Sequence, residues 1–382
     1  MTVAALAQWA FWLSAFGVWY AYFGYPLALV VLGRLRRSPA AGPGDPDAVP
    51  SVTIIIPVHN ERHVIERKWR NTQALSYPRS NLEVLFVADG CTDGTAEYLR
   101  ERQDDVVHVL EINQRGGKAG ALNAALSRAR NDVVVFSDAS IELEPDAVTA
   151  LVRPFRDPKV GCVSGEDHIQ QLGGEGLYGR YELWIRRQES RLHSIVGASG
   201  SIYAQRRLLC DPFPPGLAPD FLSVLRTVER GFRAVAVEDA RGTMGATASH
   251  RDEFDRKVRT LLRGMTTLRE YAHLMNPVAY GWFAFALISH KLMRWLVPLF
   301  LIVALAASAW LARGSALYLA LLVMQVAFYG LALGAMVSYG PVATSLPVKV
   351  SAYFTTVTAA TLSAWLKYFA GTRQELWSPT RR

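Results

Sequence analysis

Cysteine is scarce in this chain: three in 382 residues, Cys91, Cys162 and Cys210, with none of the spacings of a metal-binding pattern. That excludes a disulfide-stapled fold and a structural zinc site, and suits a reducing, cytoplasmic compartment for the polar part of the chain. No internal repeat and no long low-complexity tract is present. A compact basic stripe with interleaved aromatics is also missing, which argues against nucleic acid as a partner. The formal net charge of +8 instead suits a protein beside anionic lipid that handles anionic substrates.

Charge is missing altogether from four stretches, residues 3–33, 295–312, 314–348 and 350–366. About 20 apolar residues carry a helix across a bilayer, so each block spans or nearly spans one. The first block lacks a positive start, is too long for a cleaved signal, and is followed by Arg34, Arg36 and Arg37. It therefore reads as an anchor whose N-terminus faces outward and whose positive flank stays in the cytoplasm. Trp9, Trp12, Trp19, Tyr20, Tyr22 and Tyr25 suit the interfaces. The expected organisation is an anchor and linker over 1–48, a richly charged domain over 49–275, and an interfacial helix with further membrane segments over 276–382. Three spans after the domain would leave the C-terminus outside, whereas Lys367, Arg373, Arg381 and Arg382 favour the inside, so the last segment reads as interfacial or re-entrant.

Residues 38–50 have the Pro, Gly and Ala content of a linker. Short apolar runs follow at Val52–Ile56 (ended by Pro57), Leu82–Ala88, Val106–Leu110 and Val133–Phe136, separated by helical patterns near 61–75, 94–102 and 118–130. Alternation of this type predicts an α/β domain with a mostly parallel, doubly wound sheet, whose ligands bind at the carboxyl ends of its strands.

Those ends carry chemistry. Pro57-Val58-His59-Asn60-Glu61 follows the first strand, and Asp89-Gly90-Cys91-Thr92-Asp93-Gly94-Thr95 the second. The second pattern serves as a turn and helix start, with Asp93 and Thr95 at the start; alternatively Asp89 and Glu61 accept hydrogen bonds from a base and ribose. Arg115-Gly116-Gly117-Lys118 leads into a helix start able to hold a phosphate or ribosyl oxygen. Asp138, at the tip of the fourth strand in Ser137-Asp138-Ala139-Ser140, is a candidate oxygen ligand for a divalent cation, although no D-x-D pair stands there. Asp220 begins a helix over Phe221–Glu229, as an N-cap, a general base or both. Arg256, Arg259 and Arg263 fall on one helical face, either a solvated or lipid-facing stripe or a clamp on a diphosphate.

In this order the motifs I-P-x-x-N-E, D-G-x-x-D-G-T, G-K-A-G-A-L-N, strand-D-A-S and D-F-x-x-x-L-R resemble family 2 glycosyltransferases of the GT-A fold, in particular the membrane-bound bacterial branch related to cellulose and hyaluronan synthases. The resemblance implies nucleoside contacts at Glu61 and Asp89, a donor contact at Lys118, and a metal-and-diphosphate acid at Asp138 with Mg²⁺ or Mn²⁺. It implies a catalytic acid at Asp220, with Glu166 and Asp167 the next candidates for the base. Residues 276–294, with Ser289-His290-Lys291 and Arg294-Trp295, resemble the interfacial helix that leads into a membrane bundle. Two departures stand out. The stretch Arg256–Gly264 lacks the Q-x-x-R-W of processive synthases, and Pro219 precedes Asp220 where an acid is common. The expected activity is inverting transfer from a nucleotide-sugar, a UDP-sugar first, to a lipid-linked or glycan acceptor on the cytoplasmic face of a bacterial membrane. A processive synthase, a polyprenyl-phosphate transferase and an inactive membrane scaffold or sugar-nucleotide sensor are the alternatives.

Overall fold

The computed structural model describes residues 2–35, 49–169, 174–245, 250–337 and 345–374. Arg36, Arg37, nearly all of the expected linker, Arg381 and Arg382 lie outside these. In chain order, helices α1 (Val3–Trp19) and α2 (Tyr25–Leu35) are joined by a π-helical turn, Tyr20–Gly24. Strand β1 (Val52–Val58), α3 (Arg62–Gln73), β2 (Leu82–Asp89), α4 (Thr95–Arg100), β3 (Val107–Ile112), α5 (Gly117–Arg128) and β4 (Val133–Ser137) then alternate as the sequence pattern predicts. A second half follows: β5 (Glu142–Leu143), α6 (Ala147–Val152), β6 (Val160–Ile169), α7 (Gly174–Leu192), β7 (Ile202–Arg206), α8 (Pro219–Glu229), β8 (Arg233–Met244) and α9 (His250–Glu270). Helix α10 (Pro277–Leu287) passes through a second π turn, Ile288–Leu292, into α11 (Met293–Leu311); α12 (Ala316–Val337) and α13 (Leu346–Phe369) complete the chain.

The eight strands form one sheet in the order β3-β2-β1-β4-β7-β6-β8-β5. Its first half is parallel, as the crossover helices require. Beyond β4 it is antiparallel on both sides of β7, then parallel again between β6 and β8, so the mostly parallel sheet is mixed at β7 and at its β5 edge. β1 runs two residues further than the apolar run suggested. Pro57 is accommodated because the β4 ladder ends at Ile55↔Phe136, while β2 continues to pair as far as Val58.

Every β1 side chain is buried, and successive ones point to opposite faces. Ile54 and Ile56 pack with Phe86, Val135 and Ile65 on the face covered by α3, α4 and α6. Ile55 packs on the other face with Leu122, Leu222 and Leu262, and that cluster continues without a break into Tyr25, Leu29, Phe283, Leu287, Trp295 and Ala364. Sheet and C-terminal helices thus share a core.

Among the described residues, three helical stretches are long and apolar enough to cross a membrane: Val3–Leu35, Pro277–Leu311 and Ala316–Gly334. The segment expected to be interfacial is the first part of the second of these. α1 lies along α11, and Gly17 permits that approach, since a Cβ there would fall 2.7 Å from the Phe300 ring. α13, the fourth charge-poor block, is not among the three; it packs against α9, α12 and α11.

Candidate active site

The loops after β1 and β2 are held together by their own side chains. Asn60 adopts φ of 51°, and its Oδ1 accepts the Thr92 amide at 2.8 Å. Asp93 accepts the amides of Arg62 at 2.9 Å and Thr95 at 3.0 Å, starting α3 and α4 together. Gly90 and Gly94 have φ of 58° and 86°, a region that favours glycine. The D-G-x-x-D-G-T motif is therefore a structural turn through Asp93, and that leaves Asp89 and Glu61 for other duty. Asp89 accepts the Gly116 amide at 2.7 Å through Oδ1; its Oδ2 is buried without a partner. Glu61 is likewise buried, with an unpartnered Oε2. Burial, aided by the charge of Asp138, pushes its carboxyl up to about 8.

These loops form one wall of a cleft of about 370 Å³ at the carboxyl ends of the strands. Glu61, Lys118, Asp138, Asp220, Arg256, Arg259 and Arg263 all line it. Of the residues expected at the site, Asp89 alone stands behind the wall. Lys118 Nζ donates to Asp138 Oδ1 at 2.6 Å and to the Gly200 carbonyl at 3.4 Å. On the far side of Gly200, Asp220 brings Oδ2 to within 3.8 Å of where a Cβ on that glycine would sit. That is ordinary van der Waals distance, so Gly200 lies directly between the two acids on the cleft floor. Burial raises the Asp220 carboxyl above the usual carboxylate range, with Lys118 and Lys291 opposing. That is the direction a proton acceptor needs.

Several expectations require correction. The N-cap of α8 is Ala218, and Asp220 sits in the first turn one residue after Pro219. It is therefore not the N-cap; proline stands at the first helical position, and the Asp220 carboxyl accepts the first-turn amides of Asp220 and Phe221. Glu166 is not a spare base: Arg187 holds both of its oxygens at 2.8 Å. Asp167 does line the cleft. Arg186, Lys291 and Ser140 line it too. The first two were not expected as site residues, although Glu182, Arg186 and Glu189 fall at helical spacing on α7 and signal a charged face. The sequence showed nothing of Lys68. It is fully buried beneath the site, donating to Ser137 Oγ and the Ile141 carbonyl, both at 2.8 Å, and so braces the Asp138 turn from below.

The arginine face of α9 looks into the cleft. Burial lowers the affinity of Arg259 and Arg263 for their protons, and each is also opposed by its neighbouring arginine. Gathering these cations costs free energy that an anion would offset. The cleft thus combines acids at the strand ends, one raised carboxyl on α8 and a guanidinium bank opposite.

Residues 53–205 match the profile of glycosyl transferase family 2. Poly-beta-1,6-N-acetyl-D-glucosamine synthase of Staphylococcus aureus is 32% identical over 127 residues, 32% of this chain and 30% of that one. Beta-monoglucosyldiacylglycerol synthase of Nostoc is 28% identical over 174 residues, covering 43% and 37%. The matched part therefore spans about a third of these relatives. A mannosyltransferase from Pyrobaculum calidifontis, solved with GDP-Man and Mn²⁺, is similar over 94% of this chain and all of that one, at 27% identity and a TM-score of 0.72. With that fold and these motifs at its strand ends, residues 53–205 belong to a glycosyl transferase family 2 domain of the GT-A fold.

Proposed function

We propose that the chain transfers a sugar from a nucleotide-sugar donor to a membrane-associated acceptor, with inversion at the anomeric carbon. The observation that carries this reading is the placement of Asp220: a raised carboxyl on the cleft floor, across Gly200 from the Lys118–Asp138 pair. The acceptor hydroxyl attacks the anomeric carbon as Asp220 takes its proton. The new C–O bond forms while the bond from carbon to the diphosphate oxygen breaks, and the nucleoside diphosphate leaves. Arg256, Arg259 and Arg263 receive the charge that develops on the leaving phosphates. Glu61, on the cleft wall, keeps an unpartnered carboxyl oxygen for the nucleoside, while Asp89 behind the wall holds the Gly116 amide in place. A uridine donor is the first expectation, and a guanosine donor is favoured by the similarity to a mannosyltransferase solved with GDP-Man.

A divalent cation fits on restricted terms. Among the described residues no group of three or more His, Cys, Asp and Glu is placed to hold one. Asp138 offers a carboxylate and Ser140 a hydroxyl on the same wall, hard oxygen donors of the type Mg²⁺ or Mn²⁺ prefers. Asp138 would hold the ion, with the donor's own phosphates completing the shell. When bound, the ion supplies electrostatic stabilisation of the leaving diphosphate.

Membrane association follows from the outer faces of the apolar helices. Trp9, Leu13 and Phe16 on α1, and Val323, Met324 and Val326 on α12, are exposed, which is costly in water and not in lipid. The reading places the catalytic domain on the cytoplasmic side of a bacterial membrane, crossed more than once.

The test is Asp220→Asn. Asn keeps an oxygen that can accept the same first-turn amides, so the amide should leave folding and nucleotide affinity intact while transfer from a panel of UDP- and GDP-sugars falls by roughly 10²–10⁴. Normal turnover in a folded variant would move the base elsewhere, to Asp167 first.

A further inference from the structure

A second polar cavity, of about 140 Å³, lies behind the cleft, where α7, α11 and α13 meet the N-terminal helices. Its polar lining includes Tyr22, Tyr178, Glu182, His290, Lys291 and Arg294. The carboxylates near it are already engaged. Glu182 gives one oxygen to Arg294 and the other to His290 Nε2 at 3.0 Å. Glu189 accepts from the Tyr25 hydroxyl at 2.6 Å and the Val196 amide at 3.3 Å, and its Oε1 lies 2.7 Å from His290 Nδ1.

Donors are left over. Arg294 is nine-tenths buried, and its Nη2 has no partner. The Thr358 hydroxyl on α13 is buried without a partner on the same wall. Lys291 meets the ring of Phe221 at 5.4 Å, and it lines both this cavity and the donor cleft. A π turn presents it there. The turn at Ile288–Leu292 is braced against the π turn at Tyr20–Gly24 through Tyr20 and Ser289, whose hydroxyls are 2.7 Å apart. Such turns interrupt regular helices mostly where a side chain must be re-aimed for function. The remaining wall is Leu261, Trp295, Val297, Pro298 and Val357, with Thr361, whose hydroxyl donates to the Val357 carbonyl.

A pocket with surplus donors at one end and apolar helix faces at the other fits an amphiphilic anion. We propose that this cavity seats the phosphate of a lipid acceptor, held by Lys291, Arg294 and Thr358, with its chain against Val297 and Val357. The proposal rests on the glycosyl-transfer reading and deepens it, since Lys291 then marks the passage from the lipid site to Asp220. Buried charge-assisted hydrogen bonds to phosphate supply the affinity, and the apolar wall selects a lipid over a free anion.

Three probes test it on the full chain in detergent: dodecyl phosphate, dodecanol and inorganic phosphate. Dodecyl phosphate should bind saturably and raise the melting temperature, with the other two at least about tenfold weaker. Lys291→Met should weaken dodecyl phosphate about ten- to a hundredfold, and Thr358→Val by several-fold. Unchanged affinity in a Lys291→Met protein that melts normally overturns the proposal. Should that variant not fold, unchanged affinity in Thr358→Val does the same. Inorganic phosphate binding as tightly as dodecyl phosphate would make this a free-anion site, and equal binding of dodecanol an apolar groove; either refutes it. Nucleotide binding by the wild type, measured on the same preparation, tests the glycosyl-transfer reading separately. If nucleotide binds and dodecyl phosphate does not, only the lipid site falls.

Discussion

Glu61 shows how much of this site depends on single carboxyl groups. Its sequence motif announced a polar contact, but not that burial and Asp138 together would raise its carboxyl to about 8. Between its ordinary value of 4.5 and that value, the folded chain holds a proton that the unfolded chain has released. Stability from this group is therefore fully present below about pH 4.5 and falls as pH rises through 8. Glu61→Gln does not titrate, so its melting temperature relative to wild type should climb from pH 5 to 8.5. A constant difference across that range, measured by thermal scans at several pH values, would show that the carboxyl ionises normally. Lys68 works in the opposite sense: burial lowers its ammonium to about 7, so its contribution grows with pH above that value. Glu61 was legible because it stands at a strand end. Lys68 was not, because a lysine on an amphipathic helix ordinarily points to water.

On the scale of elements, α9 is the clearest case of a face that was legible without its target. The spacing of Arg256, Arg259 and Arg263 placed them on one side of a helix, with either lipid or phosphate before them. In the folded chain α13 covers part of α9, and the arginines line the cleft that also holds Asp138 and Asp220, which supports the phosphate reading. Arg263 also donates to the Gln374 carbonyl at 3.0 Å, which ties the end of the described chain to the same face. Arg259→Ala should raise the Kd for the nucleoside diphosphate about ten- to a hundredfold, the loss of one charge-assisted hydrogen bond to phosphate. Calorimetric titration in detergent checks it. An unchanged Kd with poorer retention in membranes would restore the lipid-facing role.

As a whole, the molecule couples its chemistry to its apolar helices through one core. Ile55 of β1 and Trp295 of α11 belong to the same packed cluster, so the cleft opens beside those helices rather than away from them. Among the described residues three stretches are apolar enough to cross a membrane, a narrow basis for a polymer channel, and the α9 stretch lacks the Q-x-x-R-W signature. Products should therefore be short, one or a few sugars per acceptor. Time-resolved chromatography of labelled product checks this; long chains beside unused acceptor would mark a processive synthase.

What the sequence determined by itself was whatever depends on neighbours along the chain. Strand and helix alternation through β4, the charge-free blocks, and the acids at strand ends all follow from local periodicity and the order of motifs. Tertiary structure alone decided the antiparallel placement of β7 between β4 and β6, the engagement of Glu166 by Arg187, and the burial of Lys68. It also decided the meeting of Lys291 with Asp220's cleft. Each depends on residues tens to hundreds of positions apart, whose burial and pairing arise only when the elements pack. For that reason seven of the eight expected site residues could be found lining one cleft, while the second cavity, built from α7, α11 and α13 together, left no signature in any one segment.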